Sequence, residues 1–206
     1  MSRCRYWGAA GGPSAGISPE NPLTSEGAQA LLAMLPARVE LEPGMSEREL
    51  DRVEERWGFR FVPEHRTLLG AGLPTGGRNW PDWRNGDPED LAERLARPVD
   101  GVLFDVEHKG FWHPEWSTRP ADPQDALEVA RTYLAEVPVM VPVHSHRYLP
   151  ADPERTGAPV LSMHQTDIIC YGTDLVDYFH HEFGRPVPTP EGHQYATIPF
   201  WSYFLD

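Results

Sequence analysis

Residues 46 to 72 constrain this chain most, because every local signal in them agrees. Ser46 and Glu49 stand at the two positions of a capping box, each able to satisfy a free N–H at a helix start. Met45 and Leu50 occupy the positions of a hydrophobic staple. Leu50, Val53 and Trp57 follow at i, i+3 and i+7, so one stripe of that helix faces a core. Gly58 can take the left-handed conformation that ends a helix. Phe59 and Phe61 alternate with Arg60 in an extended link. Pro63 then suits the first position of a second helix, where its missing N–H costs nothing. Leu68 and Leu69 are that helix's core residues, and Gly70 to Gly72 close it. Trp57, Phe61, Leu68 and Leu69 are expected to be buried together.

This stretch carries a resemblance. Trp57, Gly58, Phe61, Pro63, Arg66, Leu69 and Gly72 fall at the positions of a short motif that resembles the SUKH superfamily. That superfamily includes yeast cell-wall-assembly regulators and bacterial immunity proteins. Val62 and Ala71 depart from its usual Leu before the proline and Asn before the last glycine. The likeness is close over about residues 45 to 75. The later order of elements, to roughly residue 184, follows the family more loosely.

The length of 206 residues suits one domain with a sizeable core. Residues 1–22 are rich in Gly, Ser, Ala and Pro and read as a disordered tail, leaving 23–206 as the domain. No apolar run approaches a membrane span, and no apolar stretch follows Arg3 and Arg5 as a secretion signal requires. Two cysteines are too few for a disulfide framework, which points to the cytoplasm. The net charge of -13 argues against nucleic acid, whose phosphates need positive charge, and suits a basic protein partner. It equally suits simple solubility.

Along the chain, Ala28, Leu31, Leu32 and Leu35 mark a first amphipathic helix, and residues 39–42 a short strand. Residues 73–86 are too rich in Gly and Pro for a helix or strand, yet hold Trp80 and Trp83. Asp87 and Pro88 open a helix that Pro98 ends. Residues 102–108 then alternate as a strand, with Val102, Phe104 and Val106 on one face and Asp105 and Glu107 on the other. Asp122-Pro123 starts a helix carrying Leu127, Ala130 and Leu134. Residues 139–148 read as one strand, at an edge or bulged because of Pro142. Residues 160–163 and 168–171 form a strand pair around the turn 164–167. A last helix is capped by Thr173 or Asp174 and ended by Gly184, and the aromatic tail from Phe200 docks back. The pattern is an α+β domain, with helices packed on one face of a largely antiparallel sheet, as the resemblance also implies.

No phosphate-binding loop, nucleophile elbow, zincin helix or paired zinc cysteines occur. Two readings of one polar strip remain open. Asp105 and Glu107, with His144 and His146, would serve a metal-dependent enzyme if their strands were neighbours. The polar face of an exposed strand has the same composition. Trp80, Asp82, Trp83, Asp105, Glu107, Trp112, Trp116 and Tyr148 would instead form an aromatic, acid-ringed hot spot for a basic partner. Loop tryptophans equally serve as internal anchors. The resemblance implies a binding module without catalytic residues or cofactor, such as an immunity protein covering a toxin or a cell-wall scaffold.

Overall fold

The computed structural model describes residues 16–185 and 196–205. Residues 1–15 of the expected N-terminal tail and the proline-rich segment 186–195 lie outside the described residues. The part of the tail that is described is docked, not loose. Ile17 is buried, its amide donates to Asp174 Oδ2 at 2.7 Å, and Ser18 bridges to Asn21.

The elements run α1 (Ser25–Leu32), β1 (Glu40–Pro43), α2 (Glu47–Trp57), α3 (Pro63–Ala71), β2 (Gly72–Thr75), α4 (Pro88–His108), α5 (Pro123–Leu134), β3 (Met140–His144), β4 (Arg147–Pro150), β5 (Val160–His164), β6 (Asp167–Gly172) and α6 (Leu175–Phe183), with a 3-10 turn at Trp201–Leu205. The α+β class holds, with two antiparallel sheets: a ribbon of β1 and β2, and a four-stranded sheet in the order β3-β4-β5-β6. Helices cover both faces of the larger sheet. Val143, Leu149 and Val160 pack towards α1, α3 and α6. Tyr148, Leu161, Met163 and Ile168 pack towards α4 and α5. A third cluster joins α2, the link and α3 to Trp83, Leu91 and Val141.

The cap signals in residues 46–63, the capping box, Gly58 and Pro63, act as the chemistry requires. Ser46 and Glu49 close the capping box, with the Ser46 amide 2.8 Å from Glu49 Oε2. Arg84 and the Ser46 groups together pull the Glu49 carboxyl down to about 2. Gly58 sits at φ 70°, where a side chain is disfavoured. Glu47, Asp51 and Glu54 lie along one face of α2, and Arg66 of α3 reaches all three at 2.6–2.8 Å. Glu54 is buried and also accepts the Phe61 amide at 3.0 Å, which fixes the link. The core residues divide differently from the expected single group. Phe61 and Leu69 face the third cluster, Leu68 faces α1 and α6, and Trp57 is only half-buried.

Three expected elements are corrected. Residues 72–75 form a strand despite Gly72 and Pro74, because they pair with β1, Pro74 opposite Leu41. Residues 139–148 are a hairpin, not one strand, and the turn passes through Ser145 at φ 53°. Pro142 lies on the edge strand beside a bulge, as its lack of a donor demands.

The largest correction is α4. Pro98 does not end the helix, and residues 102–108 are helical, not extended. Pro98 has no N–H to give the carbonyl of Arg94 one turn earlier. The buried hydroxyl of Tyr148 donates to that carbonyl at 3.1 Å. Arg94 is itself buried, held by Asp90 at 2.6 Å and by the Arg78 carbonyl at 2.6 Å. The chain beyond Pro98 follows the helical period, with Val102, Asp105 and Val106 inward and Phe104 and Glu107 outward.

Tyr148→Phe should cost about 1–3 kcal/mol, the penalty of one buried carbonyl left without a donor, and hydrogen exchange should speed up first around Pro98. Equal stability in a urea melt would show that the carbonyl finds another donor.

Glu64 of α3 is buried and accepts the amides of Gly157 and Ala158 at 3.0 and 3.1 Å. Burial raises its pKa, and the charge of Asp174 adds to the rise. With the folded pKa above the ordinary value, Glu64 contributes stability at low pH that is lost as pH rises through the folded pKa. Glu64→Gln should flatten that decline in a pH series of thermal melts. An unchanged slope would assign the decline to other groups.

Candidate functional site

The loop between α4 and α5 leaves the helix at Gly110, whose φ of 71° turns the chain. The loop then presents Phe111, Trp112, His113 and Trp116. The 3-10 turn brings Phe200, Tyr203 and Phe204 against them, anchored by the fully buried Trp201, whose indole N–H donates to the Pro138 carbonyl at 2.8 Å. Trp116 stacks with Tyr133 of α5 and with Phe200, with ring planes within 12° and 5° of parallel. Trp112 meets Trp116 edge-on at 5.1 Å and donates to the Ser117 carbonyl at 2.7 Å. Arg119 stands 5.7 Å over the Trp112 ring and ties its loop back to the Val106 carbonyl at 2.8 Å.

The result is an aromatic patch with a packed floor and an open rim. Trp116 and His113 are buried; Phe111, Trp112, Phe200 and Phe204 are half-buried; Tyr133 and Tyr203 are 37% and 46% exposed. Large aromatics held at the surface by packing beneath them are what protein interfaces use as anchors. A cleft of about 420 Å³ opens beside the patch between His113, Glu115, Phe200 and Tyr203. His113 Nδ1 accepts the Glu115 amide at 3.3 Å, so its proton sits on Nε2, which has no hydrogen-bond partner among the described residues. Burial lowers the His113 pKa and keeps the ring neutral.

Of the eight residues expected to form a binding strip, the structure brings only Trp112 and Trp116 together here. The others are dispersed. Trp80 is buried against His144, 4.5 Å between rings, and against Phe183. Trp83 is buried edge-on to Phe59 and Phe61. Asp82 accepts the amides of Arg84 and Asn85 and organises their turn. Tyr148 is the buried donor to α4. Glu107 is exposed on α4. The corrections for the three aromatics, Trp80, Trp83 and Tyr148, share one cause: a chain that covers both faces of its sheet uses its large aromatics as internal filling. Tyr133, Phe200, Tyr203 and Phe204 were missed as site residues. For Phe200, Tyr203 and Phe204 the signal was the aromatic density of the tail, which foretold docking but not where; Tyr133 lies on α5, outside the tail.

The metal-ligand set also separates. Asp105 is on a helix and buried, accepting the amide of Thr166 at 3.0 Å and its hydroxyl, with Lys109 3.0 Å away. Burial pushes its pKa up, but Thr166 and Lys109 pull harder the other way, so the carboxyl lies below its ordinary value. His144 is buried with Nδ1 3.1 Å from the Tyr178 hydroxyl, and burial lowers its pKa. His146 lies in the hairpin turn, its ring 3.1 Å from Ser145 Oγ. Among the described residues no group of three His, Cys, Asp or Glu side chains is placed to hold a metal ion. A wider cleft of about 690 Å³ lies between the end of α2 and Val139, but its Asp51 and Glu54 are already paired with Arg66.

No protein-family model, no curated protein and no solved structure matches this chain. Among the described residues no helix is long and apolar enough to cross a membrane.

Trp116→Ala should cost about 3–5 kcal/mol, as buried aromatic truncations do, whereas Tyr203→Ala should stay within about 0.5 kcal/mol, as surface changes do. Equal losses in denaturant melts would mean that the rim is part of the core and not a free surface.

Proposed function

We propose that this chain is a cytoplasmic protein-binding module of SUKH type, an immunity protein that neutralises a toxin by covering a basic domain of it. The observation that carries the reading is the aromatic patch, in which the buried Trp116 packs against Trp112, Tyr133 and Phe200 and the buried His113 packs against Tyr203. Such a patch binds by excluding water around rigid rings and needs no nucleophile, base or cofactor. The motif residues add support, because Gly58, Pro63 and Arg66 serve the tight helix–link–helix unit that the resemblance implies. The acidic balance of the chain would speed its meeting with a basic partner.

The test is capture from the native host with the wild-type chain, then with Trp112→Ala and Tyr203→Ala together. The double variant should release the captured protein faster, because buried anchors act mainly on dissociation. Neutralising the exposed Glu107 should affect only association and its salt dependence, if it borders the interface. Rescue of cells expressing the captured protein would mark it as a toxin. A captured protein that is harmless would point to the scaffold role instead. Capture unaffected by the double variant would put the interface elsewhere.

A further inference from the structure

A further cleft lies away from the aromatic patch. Glu93, Arg97, Asp100 and Phe104 follow one another at spacings of four, three and four along α4, so they form a stripe on one helical face. The stripe is one wall of a cleft of about 450 Å³. The opposite wall is made by the tips of two β-hairpins, Ser145-His146 between β3 and β4 and His164-Gln165 at the end of β5, above Met163. Phe104 is 42% exposed there, its ring stacked on His108 at 4.2 Å.

The cleft is held open in one shape. Gly101 allows the second tip to approach the helix, since a Cβ at that position would lie 2.8 Å from Gln165 Cα. Asp105 grips the same tip through the Thr166 amide, and Lys109 through Gln165 Oε1 at 2.6 Å. Both tips are two-residue loops whose first residue has positive φ, 53° at Ser145 and 56° at Gln165. Glycine or asparagine usually takes that position, so serine and glutamine are costly choices there.

The charges within the cleft are unevenly engaged. Arg97 is paired with Glu93 at 3.2 Å. Asp100 is exposed and, among the described residues, has neither an ion pair nor a hydrogen-bond partner, although it lies one turn from the exposed Phe104 ring. An unpaired carboxylate beside an aromatic face and an apolar floor fits one kind of group, a cation on a long aliphatic stem. We infer that this cleft receives an arginine or lysine side chain of a protein partner, with its stem along Phe104 and Met163 and its head at Asp100. The inference rests on the reading of the chain as a binder of a basic protein and deepens it by naming what the partner inserts.

The test needs no partner. The isotope-labelled full chain is titrated with N-acetyl-arginine methylamide while amide resonances are followed, with the glutamate analogue as the control. The expected result is a saturable millimolar shift confined to Gly101, Phe104 and Gln165 and their neighbours, absent with glutamate. Asp100→Asn should weaken it about threefold to fivefold, the size of an exposed ion pair, and Asp100→Glu should restore part of the loss. Trp112→Ala should leave the titration unchanged. Absence of a localised shift, an equal response to glutamate, or an Asp100→Asn variant that binds as wild type would each overturn the inference. Failure here would leave capture through the aromatic patch intact, and a patch variant that still captures its partner would leave a positive titration intact. The two readings therefore fail separately.

Discussion

A proline in the middle of α4 leaves one buried carbonyl without its helical donor, and the hydroxyl of Tyr148 supplies the missing bond. Much of the molecule depends on that contact. It lets a 21-residue helix run unbroken across one face of the four-stranded sheet. The helix then carries Val102 and Val106 into the core, Asp105 to the Thr166 turn, and its last turn to the loop that bears the aromatic patch. Burial raises the Tyr148 pKa to about 12, so the group stays protonated and remains a donor across the physiological range. Were the helix to stop at Pro98, the patch and the cleft would both lose the wall they are built on.

Covering both faces of the sheet also decides where function can reside. Strands β3 and β4 are buried along almost their whole length, so His144 of the expected polar strip is internal, and Asp105 is buried on α4. His144 packs with Trp80 and Tyr178, and Asp105 spends its oxygens on a backbone amide, a hydroxyl and a lysine. Buried polar groups must be paired, and these are, His144 with the Tyr178 hydroxyl and Asp105 with Thr166 and Lys109. Among the described residues, the two candidate surfaces lie at the margins: the aromatic rim around Trp112 and Tyr203, and the cleft between α4 and the hairpin tips. Each margin combines a rigid support with groups that have no partner within the described chain, the Nε2 of His113 in one and the carboxylate of Asp100 in the other.

The sequence by itself determined what depends on neighbours a few residues away. The capping box at Ser46, the left-handed Gly58, the proline start of α3, the Asp122-Pro123 start of α5 and the turn 164–167 were all legible, because each is satisfied within one or two turns of chain. The docking of the aromatic tail was legible too, since Trp201 could not stay in water. Tertiary structure decided the rest, because the deciding partners are remote. Pro98 stays helical through a tyrosine 54 residues further from Arg94 along the chain. Residues 72–75 become a strand because β1 lies beside them, and Ser145 accepts a positive φ because β3 and β4 must pair across it. Which tryptophans are filling and which support a surface follows from where the second layer of helices lies. Trp83 meets Phe59 and Phe61 in the interior, while Trp112 stands at the edge of a cluster assembled from α5 and the tail. Composition and periodicity hold no record of that arrangement, because burial is a property of the assembled layers and not of any one segment.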